Sequence, residues 1–249
     1  LIKGFGLAKG TNFNNWRRVG AVLPAIKIYN QRDVDELIIS DILASQNNEE
    51  PDYESIKDFC SDCFVPLTFG GGIRNIEHVQ KLLDIGIDKV SINSSLYENP
   101  KIMSDIANKF GSQSIVASID VKKSNDKGWD CYSHSGTIKT TKNLKSWVKE
   151  LEERGCGEIL ITSIDNDGTM KGYDLKLIKY ITSIVNIPVI ASGGAGNFEH
   201  MSDAILKSDA SAVAAGSIFQ FTEQTPIEIK NQLSLNGISV RNPINMTNL

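Results

Sequence analysis

Short apolar runs alternate along the chain with longer stretches in which apolar residues recur every three or four positions. The runs "LIIS" (37–40), "PLTF" (66–69), "KVSI" (89–92), "SIVASID" (114–120) and "PVIA" (188–191) are rich in Ile and Val. They are too brief for helices and suit strands buried on both faces, as in a parallel sheet covered by helices. Between them, Ile76, Val79, Leu82 and Leu83 lay one apolar stripe along a predicted helix, and Leu144, Trp147, Val148 and Leu151 lay another. Asn75 and Asn197 stand where a capping side chain is expected, and Gly86, Gly111 and Gly155 stand where helices stop.

The pattern is written twice. "FGGGIRNIEH" (69–78) returns as "ASGGAGNFEH" (191–200), and aligning Pro66 with Pro188 gives an offset of 188 − 66 = 122. The same offset carries "VDELIISDI" (34–42) onto "CGEILITSI" (156–164), with Glu36 on Glu158, and "DKVSINSS" (88–95) onto "ASAVAAGS" (210–217). Strand and helix alternating about eight times in roughly 250 residues is the rhythm of a (β/α)8 barrel. Two matching four-stranded pieces can seal each other's edges, which favours closure over the alternative, an open doubly wound sheet. The sequence therefore predicts an α/β fold, one (β/α)8 TIM barrel over 1–249. Its duplicated half-barrels run from about 1 to 112 and from 113 to 237, with a short C-terminal tail.

Composition narrows the function classes. With 249 residues and 41% hydrophobic content the chain can bury a large core. A net charge of −4 argues against nucleic-acid binding, which requires a basic face. No apolar run approaches the ~18 residues needed to span a bilayer, and "LIKGFGLAKG" lacks a signal-peptide layout, so a cytoplasmic protein is expected. The four cysteines do not form a disulfide framework, and Cys60 and Cys63, spaced with Ile56 and Phe59, suit a buried helix face better than a redox or zinc site. His78, His134 and His200 have no ligand spacing, so neither a metal nor a cofactor is expected.

In such a barrel, chemistry sits in the loops after the strands. Gly70-Gly71-Gly72 and Gly193-Gly194-Ala195-Gly196 each follow a strand and precede a helix, so each is a candidate phosphate cradle of close backbone and free N–H groups. The next strand in each half ends in Asn93-Ser94-Ser95 or Gly216-Ser217, and Gly168 and Thr169 could complete the second site. A ligand with a phosphate at each end would bridge the two. Asp120, ending "SIVASID", points between them as a candidate general acid or base. Asp41, Asp165 and Asp167 also lie at strand ends, where turn-capping is the alternative role. Glu77, His78, Glu199 and His200 fall in first helical turns, where capping explains them.

"KGTNF" (9–13), "FGGGI" (69–73), "DKVSINSS", "ENP" (98–100), "FGSQ" (110–113), "ERGCGEILITSIDNDGTMKGYD" (153–174), "IPVIASGGAG" (187–196) and "NGISVR" (236–241) together resemble the cyclase subunit of imidazole glycerol phosphate synthase, HisF, over essentially the whole chain. The resemblance implies a synthase subunit paired with a HisH-like glutaminase. Ammonia would cross the barrel and attack a bisphosphorylated ribonucleotide, giving imidazole glycerol phosphate and an aminoimidazole carboxamide ribonucleotide. It implies phosphate contacts at Gly72, Asn93 and Ser94 on one side and at Asp167, Gly168, Gly194 and Ser217 on the other, and Lys9, Gly71, Thr169, Gly193 and Gly216 beside them are further candidate substrate contacts. One catalytic aspartate falls on Asp120, and the charged gate and partner face fall on Glu36, Asp88, Lys89 and Glu158.

The family's second catalytic aspartate falls on Leu1, and leucine cannot transfer a proton. Two further readings therefore stand beside the cyclase of histidine biosynthesis. One is a HisF-like paralogue that supplies ammonia for amidation of surface sugars; the other is a phosphate-sugar binding subunit without turnover.

Overall fold

The computed structural model describes residues 1–4, 6–125 and 128–241. The first half contains β1 (Ile2–Lys3), β2 (Gly6–Thr11), β3 (Asn14–Gly20), α1 (Val22–Gln31), β4 (Leu37–Ser40) and α2 (Tyr53–Asp62). It continues with β5 (Leu67–Gly70), α3 (Ile76–Asp84), β6 (Lys89–Ile92), α4 (Ser94–Glu98) and α5 (Lys101–Phe110). The second half opens with β7 (Ile115–Lys123), β8 (Trp129–Ser133), β9 (Ile138–Asn143), α6 (Leu144–Glu153), β10 (Glu158–Ser163) and α7 (Leu175–Thr182). It ends with β11 (Val189–Ser192), α8 (Phe198–Leu206), β12 (Ala212–Ala214), α9 (Ser217–Phe221) and α10 (Pro226–Leu235). The starts of α1 and α6, α2 and α7, β5 and β11, and α3 and α8 are all related by the offset found in the sequence, as with Val22 and Leu144 (144 − 22 = 122).

Seven strands, β4-β5-β6-β7-β10-β11-β12, pair in parallel in that order, and β1 joins β4 through a parallel bridge between Ile2 and Asp41. These eight form the (β/α)8 barrel, with β1 reduced to two residues. Side chains hold the seam between the last and first elements. The buried Lys230 of α10 donates to Asp33 Oδ2 at 2.9 Å and Asp35 Oδ1 at 3.1 Å, and Arg241 meets the same two carboxylates at 2.6 and 2.7 Å. Beside them, Gln220 Nε2 donates to the Tyr29 hydroxyl at 3.1 Å, and the Phe219 ring meets Tyr29 edge-on.

Period-two alternation decides what fills the barrel. Glu158, Leu160 and Thr162 of β10 face inward, as do Glu36, Ile38 and Ser40 around β4, and Ser118 and Asp120 on β7. Their order stacks charge at the amino end, an apolar middle of Ile38, Val116, Leu160 and Ile190, and polar groups at the carboxyl end. The other strand faces meet the helices. Leu144, Trp147, Val148 and Leu151 are all buried on α6, and Val79 and Leu82 on α3. Asn75 and Asn197 cap α3 and α8 identically, each Oδ1 accepting from the N–H three residues on at 2.9 Å. Cys60 and Cys63 pack half-buried against the core, as their spacing predicts.

Two antiparallel hairpins, β2–β3 and β8–β9, were not visible as strands in the sequence. Their polar runs, such as "NNWRR" and "IKTTK", lack an apolar face because they lie above the barrel rather than in it. Each crosses to the opposite half. From the β2–β3 turn, Asn12 N–H donates to Asp167 O and its Nδ2 to Asp165 O at 2.6 Å. From the β8–β9 turn, Ser135 donates to Ile42 O at 2.7 Å and His134 N–H to Ser94 Oγ at 2.9 Å. The tips touch where Gly136 packs on Phe13. Among the described residues, no helix is long and apolar enough to cross a membrane.

Candidate active site at the barrel mouth

Strand ends and the loops after them line a cavity of about 840 Å³ that runs from the mouth into the barrel. Lys9, Gly71, Gly72, Asn93, Ser94, Asp120, Asp167, Gly168, Gly193, Gly194, Gly216 and Ser217 all border it, so residues spread over more than two hundred positions converge. Thr169 does not. Its hydroxyl donates to Asn166 O at 2.7 Å and accepts from Lys171 N–H, which keeps it inside its own loop.

Asp120 is buried on β7, and Asn93 Nδ2 donates to its Oδ2 at 2.7 Å. Loss of water pushes its pKa up to about 7, the nearby negative charge of Asp167 adds to the rise, and hydrogen bonds from Asn93 and Thr162 hold it back. A carboxyl titrating near neutrality can both give and take a proton at working pH. Asn93 precedes α4 as its cap residue, yet its side chain makes no cap bond because it reaches Asp120 instead, leaving its buried Oδ1 without a partner among the described residues. Thr162 was missed in the sequence. The signal lay in the inward alternation of "EILITS": Thr162 stands in register with Asp120 on the adjacent strand.

Across the mouth, Lys9 lies over Gly216 and near Asp167. Burial lowers the Lys9 pKa against the opposing pull of Asp167, and burial raises that of Asp167 against Lys9. Leu1 borders the same space. Asp41 takes the turn role, its Oδ1 accepting from Leu43 N–H at 2.8 Å, whereas Asp165 ties its loop to β7, its Oδ2 accepting from Lys123 N–H at 2.7 Å.

The two glycine loops have mated shapes. Gly71 and Gly72 have φ of 107° and 72°, Gly193 and Gly194 of 89° and 114°, all in the left-handed region that favours glycine. A Cβ on Gly72 would come within 2.7 Å of Glu49 O, and one on Gly194 would collide with Gly172 O. At the opposite end of the barrel, Lys89 Nζ lies 3.0 Å from Glu36 Oε2 and 2.7 Å from Glu158 Oε1. Burial alone would lower the Lys89 pKa, but the hydrogen bonds and charges of the two glutamates outweigh it and raise it. Asp88 stays outside this cluster, its Oδ2 accepting from Leu67 N–H at 2.7 Å.

Residues 5–225 match the family described as "Histidine biosynthesis protein". The chain belongs to that family. Among its relatives, the "Imidazole glycerol phosphate synthase subunit HisF" of Dictyoglomus turgidum is 46% identical over 238 residues, covering 96% of this chain and 94% of that protein. The protein of the same name from Streptococcus mutans is 40% identical over 240 residues, with 96% of each chain covered. The "Putative imidazole glycerol phosphate synthase subunit hisF2" of Pseudomonas aeruginosa is 44% identical over 221 residues, 89% of this chain and 88% of that one. The histidine-biosynthesis match thus spans both glycine loops, Asp120 and the Lys89 cluster, so the mouth and the ion cluster both lie inside the family's shared region.

Proposed function

We infer that this chain is the cyclase subunit of an imidazole glycerol phosphate synthase, acting in histidine biosynthesis with a glutaminase partner. One observation carries the reading: a buried carboxyl titrating near 7 stands between two mated, N–H-rich glycine loops. Each loop would hold one terminal phosphate of a bisphosphorylated ribonucleotide, the first beside Asn93 and Ser94, the second beside Gly168, Gly216 and Ser217. Held at both ends, the substrate presents its middle to Asp120, which takes a proton as ammonia adds and returns one as the ring closes.

The ammonia source lies at the far end. Glu36, Lys89 and Glu158 form a charged ring at the strand starts, and Ile38, Val116, Leu160 and Ile190 make an apolar passage above it that favours neutral ammonia over ammonium. Asp88, on the same end, belongs to the face a glutaminase would cover.

The test supplies ammonium salt at high pH with the bisphosphorylated ribonucleotide of the histidine pathway. Formation of imidazole glycerol phosphate by the isolated chain supports the cyclase, and silence with intact ligand binding rejects it. A second reading, ammonia supply for sugar amidation, is favoured by the leucine side chain at the mouth where the resemblance puts a second catalytic aspartate. That reading requires no imidazole product.

A further inference from the structure

His78 and His200 are repeat mates, each the third residue of its helix, and the sequence assigns both to helix capping. Their backbone N–H groups do serve the caps of Asn75 and Asn197. Their rings do something else, and they do it in opposite senses. The buried His78 places Nδ1 3.2 Å from Gly72 O. A carbonyl only accepts, so Nδ1 carries the proton. His200 Nδ1 instead accepts from Gly196 N–H at 3.2 Å, so that nitrogen must be bare.

The difference goes with different neighbours in the two halves. In the first loop the mate of Gly196 is Arg74, whose guanidinium reaches Asn48. There the imidazole fixes the carbonyl of Gly72, and Ser95 Oγ fixes that of Ile73 at 2.7 Å. In the second loop the carbonyl matching Gly72, that of Gly194, is already held by Gly172 N–H at 2.8 Å. Gln224 Nε2 holds Gly196 O at 3.3 Å, and the ring is left to take the Gly196 N–H. In both loops carbonyls are drawn back into the protein. Among the described residues, no acceptor meets the N–H of Gly194 or Ala195, which leaves them to face the cavity.

We propose that His78 and His200 are positioning residues of the two anion loops, His78 by donating to the Gly72 carbonyl and His200 by accepting from the Gly196 N–H. Neither touches the ligand. His200 works only with its Nδ1 unprotonated, because a proton there would face the Gly196 N–H donor to donor; His78 works in either the Nδ1–H neutral or the doubly protonated form. The proposal rests on reading the two loops as phosphate cradles.

The experiment uses the full chain labelled with nitrogen-15, with inorganic phosphate as the probe. Two-bond proton–nitrogen spectra should give a protonated Nδ1 for His78, whose Nε2 faces Glu50 at 3.6 Å, and the Nε2–H form for His200; a bare Nδ1 at His78 or a protonated Nδ1 at His200 overturns the proposal. Phosphate titration followed at the amides of 71–73 and 193–195 should show His200→Phe weakening the second loop about tenfold while sparing the first. His200→Asn, whose Oδ1 takes the place of Nδ1, should restore affinity to within about threefold of the parent. Unchanged affinity in His200→Phe, or failure of His200→Asn to rescue while both spectra remain well dispersed, overturns it. If His200→Phe does not fold, His200→Ala is read the same way. Phosphate that shifts neither loop in the unaltered chain overturns the cradle reading, and this proposal with it, an outcome distinct from cradles that bind but ignore His200.

Discussion

The first half of the barrel presents its glycine loop beside Arg74, Asn93 and Ser94, and the second presents its own beside Lys9, Gly168 and Asp167. The backbones match: the same glycine conformations, the same asparagine caps, the same helix starts. The charged groups do not. One lysine, Lys89, answers two mated glutamates, while its own mate is Ser211, and at the seam Lys230 and Arg241 face Asp33 and Asp35 across the two halves. What is local in sequence survives duplication because each copy carries its own cause. What depends on a partner from the other copy is made once.

The comparison can be broken at its charged members first. Asp120→Asn should lower ammonia-dependent turnover by about 10²–10⁴-fold with the fold retained, since only proton transfer is removed; steady-state rates with ammonium salts check it. Its stability should shift with pH in a defined direction. Asp120 has its native pKa lifted from 3.8 to about 7, so the native chain keeps a proton that the unfolded chain releases, and stability drains away as pH rises through that window. The asparagine variant should therefore gain over the parent from pH 5 to pH 8, by on the order of 1–3 kcal/mol, in paired thermal melts.

Next in size, Lys230→Met should cost about 3 kcal/mol by removing one of the two cations that pair the buried Asp33 carboxylate, with Arg241 still in place. The Asp33 carboxyl is desolvated, yet the hydrogen bonds of Lys230 and Arg241 hold it below the ordinary range. Its contribution is present above the unfolded value of 3.8 and vanishes as pH falls through the lowered one, opposite in sign to Asp120. Denaturant melts at pH 7 and pH 3 should show the variant's deficit shrinking in acid.

The repeated members should give smaller and better-matched effects. Gly194→Ala, at φ 114° and against Gly172 O, should cost about 2–3 kcal/mol, and Gly72→Ala, at φ 72°, about 1–2 kcal/mol, with phosphate affinity lost only at the loop altered. Asn75→Ala and Asn197→Ala should each cost about 1 kcal/mol, because the caps are the same bond made twice. Chemical denaturation separates these cases. A large gap between the two asparagine variants would count against equivalence of the halves.

The same division explains how much could be read from the chain. Strand runs, helix stripes, caps and stops are short-range statements, so "LIIS", the stripe from Leu144 to Leu151, Asn197 and Gly111 all gave their places directly. Asp120 was legible because strand polarity aims the carboxyl end of its run at the mouth, although β7 continues past it to Lys123 in its pairing with β8. Thr162 and the Asn93 contact were not, since they require knowing which strands are neighbours in space. Thr169 misled for the converse reason: a hydroxyl next to a glycine loop satisfied its own turn. The hairpins escaped because their cause lies in the opposite half, where no local pattern announces it.

Those crossed hairpins have a consequence for assembly. Each half lends its ribbon to the other and receives an equivalent one back, and mutual exchange of this kind is what a two-fold axis between identical molecules produces. Either half alone would lack the ribbon the other supplies. Within one chain the exchange is intramolecular, so the cover over the mouth does not depend on concentration.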